Sequence, residues 1–178
     1  IDQAPAGDRT LLLVDEGARN GLNDIMVVAE ATLSASAVSL FMTLAAGRPR
    51  PYVFGDPDHP EDLKAPLANR NSADASMSFL SGHTTEAFAF VTSLYMAQRR
   101  LHPHSKQPAI VLGVGLGIAS FVGVGRIMSG NHFITDVVGG AAVGSSIGVL
   151  VTALHHSPVT VVPIVTETQG GLGIKGSF

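Results

Sequence analysis

Apolar residues along this chain come in long runs interrupted by Gly, Pro and charged residues, rather than in strict alternation with polar ones. Such runs favour helices over strands. The first covers residues 22–47: Asn23 offers an N-cap, Asp24 and Glu30 lie towards its start, and Gly47-Arg48-Pro49 stops it. Residues 51–80 show little periodicity and many Pro, Asp and Asn, and read as a long loop of the kind that carries function or moves. A second helix is expected from near His83 through Thr84, Glu86, Phe88 and Leu94 to Arg99 and Arg100, whose charges suit a helix C-terminus. After a turn over residues 101–108, a third helix runs from 109 to about 124 and a fourth from 132 to about 154, almost uncharged apart from Asp136. The predicted class is therefore all-α, a helical bundle. Beyond Pro158 the β-branched residues Val159, Thr160, Val161, Val162, Ile164 and Val165, followed by Gly170-Gly171, predict a small C-terminal β-hairpin over 158–178.

The run 137–154 is uncharged and near the lower limit for crossing a hydrocarbon core of about 30 Å. Its Gly, Ala and Ser permit close helix packing in water or in lipid. No Trp occurs and only two Tyr, so no aromatic belt marks a membrane interface. That favours a fully buried helix in a soluble bundle, with membrane association left open.

With 178 residues the chain is expected to form one domain over 1–178, its core large enough to fold alone. The formal charge of −3, from 11 basic and 14 acidic residues, gives no electrostatic footprint for nucleic acid and excludes that partner class. Zero cysteines exclude disulfides and thiolate metal sites. The first residue is Ile1, which leads us to expect that an N-terminal portion precedes it in the natural protein.

Against this apolar background, with only 14% charged residues, three short runs collect cations, two imidazoles and one carboxylate. They are Gly47-Arg48-Pro49-Arg50-Pro51, Ser81-Gly82-His83, and Arg126 followed by His132 and Asp136. If His132 and Asp136 share a helix, their i, i+4 spacing places them on one face, where the carboxylate accepts a proton from one imidazole nitrogen. That bond fixes the tautomer and frees the other nitrogen as a nucleophile. Arg126 supplies a planar fork of donors suited to phosphate oxygens. A helix opening after Gly82 adds its unpaired amides, glycine allowing close approach to an anion. Each run has a plainer explanation in isolation: a surface ion pair, a helix stop with an extended linker, and an N-cap with a glycine turn.

Taken in this order and spacing, the runs resemble the three-part signature of the type 2 phosphatidic acid phosphatase superfamily, which also includes bacterial acid phosphatases and vanadium haloperoxidases. The match covers residues 43–136. It implies a helical bundle with the active site at helix ends and hydrolysis of phosphate monoesters, small-molecule or lipid, through a phosphohistidine. In that scheme His132 is the nucleophile, Asp136 its orienter and His83 the acid and base. Arg50, Arg126, Ser81 and Gly82 hold the phosphate, and neither metal nor cofactor takes part. It also implies a periplasmic or cell-envelope location with membrane association open, and a phosphate-ester substrate as partner; oligomeric state is not addressed.

Three positions depart from the signature. Counting seven back from Arg50 reaches Thr43 where the family has lysine, Leu80 replaces a proline, and Gly125 replaces a serine. Arg48 is a candidate to replace the lost charge. The missing lysine keeps a non-catalytic oxyanion or lipid-headgroup binder in view, and the shared vanadate cradle keeps a vanadium-dependent haloperoxidase, although those enzymes are much longer. His102 and His104, His155 and His156, and His59 among its acidic neighbours are read as turn, helix-end and solvated loop residues. Tyr52 and Phe54 either wall the pocket or anchor the loop.

Overall fold

The computed structural model describes residues 18–54 and 72–155, with side chains from Gly21 onward, and the backbone of 159–165 and 170–176. Four helices account for most of it: α1 (Ala18–Ala46), α2 (Gly82–Leu101), α3 (Gln107–Met128) and α4 (Ile134–His155). Single 3-10 turns occupy Pro51–Phe54 and Ala73–Ser76. The all-helical class is thus observed, and most of the expected loop, residues 55–71, lies outside the described residues.

Helix ends follow local chemistry. Gly47, at φ +55°, closes α1 with its amide on the Thr43 carbonyl, and Gly130, at φ +71°, turns the chain after α3 with its amide on the Ile127 carbonyl. The expected fourth helix starts two residues late, at Ile134. Asp136 is its third residue, and its carboxylate accepts the Phe133 amide at 2.9 Å, half of a capping box. That bond fixes the helix start after His132 and leaves His132 off the helix.

The central element is α2, which packs against α1, α3 and α4. Along α4 the buried positions are Asp136, Gly140, Gly144, Gly148 and Thr152, an unbroken i, i+4 stripe. A side chain at Gly144 would collide with the Thr85 carbonyl, and one at Gly148 with Thr92 Oγ1 and the Ala89 carbonyl. Glycine is required there because the backbones of α2 and α4 approach so closely.

The distribution of polarity inverts that of a water-soluble bundle. The largest fully buried side chains are Thr84, Thr85, Thr152, Asp24, Asp136, Ser78, Ser81 and Ser93. Large apolar residues point outward, among them Leu33 and Phe41 at 70% exposure, Met128 at 72% and Phe121 at 78%. The expectation of a fully buried fourth helix is therefore corrected: α4 buries one narrow stripe and exposes Ile134, Val138, Leu150 and Leu154. Among the described residues three stretches, Gly21–Phe54, Gln107–Met128 and Ile134–His155, are long and apolar enough to cross a membrane. Buried hydroxyls satisfy themselves within helices, as Thr92 and Thr152 do on carbonyls one turn back, and Arg100 closes on buried Asp24 with both carboxylate oxygens at 2.7–2.8 Å.

Val159–Val165 and Gly170–Gly176 pair antiparallel, with Val159 opposite Gly176 and Val165 opposite Gly170. Gly170 and Gly171 lie in the second strand rather than in the turn.

Candidate functional site

Four chain segments meet at one end of the bundle: the C-terminus of α1, the N-terminus of α2, the C-terminus of α3 and the approach to α4. Backbone bonds lace them together. The amide of Arg50 donates to the Ala75 carbonyl at 2.8 Å, that of Ser78 to Arg48 at 2.9 Å, that of Tyr52 to Gly130 at 3.2 Å, and that of Ser81 to Asp136 at 3.2 Å. The amides of Asn131 and His132 both donate to the Arg126 carbonyl, at 3.2 and 3.3 Å. Residues far apart in sequence are thereby fixed around one hollow.

That hollow measures about 280 Å³, enough for a phosphate group with part of its alcohol, and is lined by Thr43, Arg50, Gly82, His83, Arg126 and His132 among others. Six of the nine sequence-predicted residues therefore share one space. Ser81, Arg48 and Asp136 do not line it. Ser81 is fully buried, its hydroxyl 2.9 Å from that of Thr84. Arg48 donates to Asp136 Oδ1 at 2.6 Å and to Thr135 at 2.8 Å, with its guanidinium 4.1 Å from the centre of the Phe133 ring. It is therefore engaged beside the hollow and does not replace the missing lysine.

Asp136 is completely buried, but its oxygens go to Arg48, to the Ser78 hydroxyl at 2.5 Å and to the Phe133 amide. The expected Asp136–His132 hydrogen bond is absent, because His132 precedes the helix and the i, i+4 geometry never arises. The imidazole instead places Nδ1 2.6 Å from the Ser78 carbonyl. A carbonyl only accepts, so Nδ1 carries the proton and Nε2 holds the free lone pair. Asp136 acts one step removed, by gripping the residue whose carbonyl holds the ring.

The ring is 4% exposed, and burial pushes its pKa down from 6.5 to about 4, against the raising effect of the Ser78 carbonyl; Arg50 and Arg126 add to the lowering. His132 is consequently neutral at physiological pH. Arg50 Nη1 donates weakly towards the Nε2 lone pair at 3.5 Å, so an anion that takes over this donor comes to lie against Nε2.

Arg50 is itself tied down by Asp74, through Nε to the carbonyl at 2.8 Å and Nη2 to the carboxylate at 2.6 Å. Arg126 differs: its buried Nε has no hydrogen-bond partner among the described residues. An orphaned buried donor in a hollow lined by cations marks a place for an acceptor. Thr43 offers none of the lysine's charge, and its hydroxyl is directed at the Ser39 carbonyl at 2.8 Å.

Sequence reasoning missed Ser78, Asp74, Ser36, Ser39 and Glu86. Nothing in the sequence signals Ser78, which contributes a backbone carbonyl. Glu86 was visible as a charge in an apolar helix. Tyr52 is buried and anchors the 3-10 turn Pro51–Phe54, its hydroxyl 3.5 Å from Asp74, while Phe54 is exposed against Phe133; neither lines the hollow. His102 and His104 lie at the far end of α2, and His155 pairs with Glu30 at 3.1 Å. His59 and His156 lie outside the described residues.

Residues 24–158 match the PAP2 superfamily. The chain belongs to that superfamily. Among curated proteins it is 38% identical over 81 residues to the lipid A 1-phosphatase of Porphyromonas gingivalis, covering 46% of this chain and 17% of that protein. It is 37% identical over 84 residues to phosphatidylglycerophosphatase B of Bacillus subtilis, covering 45% of this chain and 38% of that protein. The chain thus spans well under half the length of either relative. No solved structure matches it.

Proposed function

We propose that this PAP2 protein is a membrane-associated phosphatase that hydrolyses phosphate monoesters of amphiphilic alcohols through a phosphohistidine at His132. The observation carrying the proposal is the shared hollow, in which a neutral imidazole with its tautomer fixed faces two arginines, one of them with an unpartnered donor. Both named relatives are lipid phosphatases. Together with the apolar exterior they favour a lipid substrate over a soluble one.

In the first step Nε2 of His132 attacks phosphorus, the P–O ester bond breaks, and the leaving oxygen takes a proton from His83. In the second, water attacks the phosphohistidine, gives a proton to His83, and the P–N bond breaks to release phosphate. Arg50 and Arg126 balance charge on the equatorial oxygens, and the opening amides of α2 add positive dipole at Gly82. The scheme calls on no metal or cofactor. Ser78 and Asp136 are positioning residues, holding the ring through the carbonyl. A location at the cell envelope on the periplasmic side belongs to the same proposal.

A second reading has its own observation: Thr43 contributes neither charge nor a free donor, which suits a non-catalytic oxyanion binder. The deciding experiment measures phosphate release by the purified full-length protein from a soluble ester, phosphatidate and a polyprenyl pyrophosphate, with and without detergent. Release that is abolished in His132→Ala, with vanadate binding retained, is the expected result. Wild-type protein that binds vanadate but turns over none of the three would establish the binder instead.

A further inference from the structure

The hollow contains one group that a phosphate site does not need. Glu86 lies on α2, one turn beyond Gly82 and His83, and lines the same space as the two arginines. Its Oε1 accepts the Ser36 hydroxyl at 2.7 Å, and among the described residues no cation lies within ion-pair distance of it. A carboxylate offers only acceptors. It cannot bond to a fully ionised phosphate and repels it, so its complement must be a donor on the alcohol part of the ester. The two arginines of the hollow disfavour an ammonium, which leaves a neutral hydroxyl.

Position along the groove between α1 and α2 supports this. The face of α2 that begins with Gly82, His83 and Glu86 continues with Phe90 and Leu94, which, with Ile25, Val28 and Leu33 of α1, line an apolar groove of about 470 Å³. Successive turns of α2 therefore offer a phosphate cradle, a hydrogen-bond acceptor and an apolar wall. Each step is about 5.4 Å, the rise of one turn. That sequence of surfaces matches a single-tailed amphiphile read from its phosphate through a hydroxylated linker to its chain.

We infer that Glu86, held by Ser36, is a specificity-determining residue that accepts a hydroxyl on the linker of an amphiphilic phosphomonoester, so that hydroxylated linkers are preferred to bare ones. The inference rests on the phosphatase reading. It deepens that reading by naming the substrate class.

The test compares two lipids of equal chain length in detergent, 1-oleoyl-glycerol 3-phosphate with its free 2-hydroxyl and the 2-deoxy analogue, using the full-length protein. Wild type is expected to favour the hydroxylated lipid in kcat/KM by about tenfold, the worth of one hydrogen bond to a charged acceptor. Glu86→Ala should bring the ratio close to one, chiefly by raising KM for the hydroxylated lipid, and Ser36→Ala should lower it part of the way. Glu86→Gln preserves shape if the alanine variant does not fold, and should also reduce the ratio. Equal wild-type turnover of both lipids, or a preference that survives both Glu86 variants, overturns the inference while leaving the phosphatase reading intact. No turnover of either lipid, with a soluble ester hydrolysed, overturns it as well; no turnover of any ester removes the phosphatase reading itself.

Discussion

Replacing Asp136 separates two roles that the i, i+4 spacing conflates. If its carboxylate oriented His132 directly, losing the charge would cost about 10⁴ in kcat with little change in stability, as for a carboxylate that sets a catalytic imidazole's tautomer. The structure gives the carboxylate different partners: the Ser78 hydroxyl, the Phe133 amide and Arg48. In Asp136→Ala the fully buried Ser78 hydroxyl loses its acceptor, at about 1–3 kcal/mol, and the part-buried Phe133 amide loses its cap, at about 0.5–2 kcal/mol. The Arg48 side chain is 37% exposed and can turn to solvent, so its loss adds little. The expected destabilisation is therefore about 1.5–5 kcal/mol for alanine, and less for Asp136→Asn, which keeps one acceptor oxygen. Because the Ser78 carbonyl still holds Nδ1, Asp136→Asn should lose less than about 10²-fold in kcat when assayed below its own melting temperature. Thermal unfolding in detergent and steady-state kinetics on the same preparation make the comparison. An asparagine variant with wild-type melting temperature and a 10⁴-fold lower kcat would refute the assignment and put the carboxylate on the imidazole.

Imidazole ¹⁵N shifts, assigned by difference from His132→Ala, should show His132 neutral with its proton on Nδ1 down to about pH 5; a midpoint near 6.5 or an Nε2–H tautomer would contradict the geometry. The same burial makes stability depend on pH. The folded form binds fewer protons than the unfolded one between pH 6.5 and 4, so this group's contribution is complete above 6.5 and is lost as pH falls towards 4, up to about 3 kcal/mol. Urea or thermal unfolding across that window in wild type and His132→Ala should differ in slope. Gly144→Ala drives a Cβ into the Thr85 carbonyl and should destabilise by at least the 1–3 kcal/mol typical of overpacking, whereas Gly117→Ala, with open space around its Cβ, should be neutral or stabilising by up to about 1 kcal/mol. Thr43→Lys restores the cation that the superfamily signature calls for, inside the hollow, and should tighten vanadate binding about tenfold by one charge-assisted contact; unchanged binding would mean that position 43 does not reach the anion.

The helices were legible because long apolar runs and Gly-Pro stops act locally, while boundaries shifted by a few residues at the start of α1, at both ends of α3 and at the start of α4. At α4 the cause is local: the capping bond of Asp136 to the Phe133 amide starts the helix after His132, and so the spacing that singled out these two residues misdescribed how they interact. Arg50, His83, Arg126 and His132 converge as their motifs imply. Ser81 and Arg48 belong to the same motifs yet turn away, because a motif records which residues are needed near a site and not which atoms face it. Solvent was misread for a different reason. Hydropathy alone does not distinguish a buried helix from a lipid-facing one; the side on which the small residues fall does, and Gly140, Gly144 and Gly148 place the large apolar side chains of α4 outside.

The electrostatics of the hollow bear on how it works without the family's lysine. Arg50 and Arg126 bring two positive charges, Asp74 lies on the first at 2.6 Å, and Glu86 adds a second negative charge before an anion arrives. Two anchored negatives therefore oppose a phosphate that the missing cation would have helped. Asp74 is the one that can yield, since its side chain is 61% exposed and belongs to a single 3-10 turn, and a phosphate replacing it on Arg50 Nη2 releases a carboxylate to water at small cost. Glu86 is part-buried and held by Ser36, so it stays. The site is thus biased against extra negative charge beyond the ester's own phosphate and towards an alcohol that can donate. The lost lysine and the retained glutamate act in the same direction, lowering affinity for bare phosphate, which under the proposed phosphatase reaction is also the product that must leave.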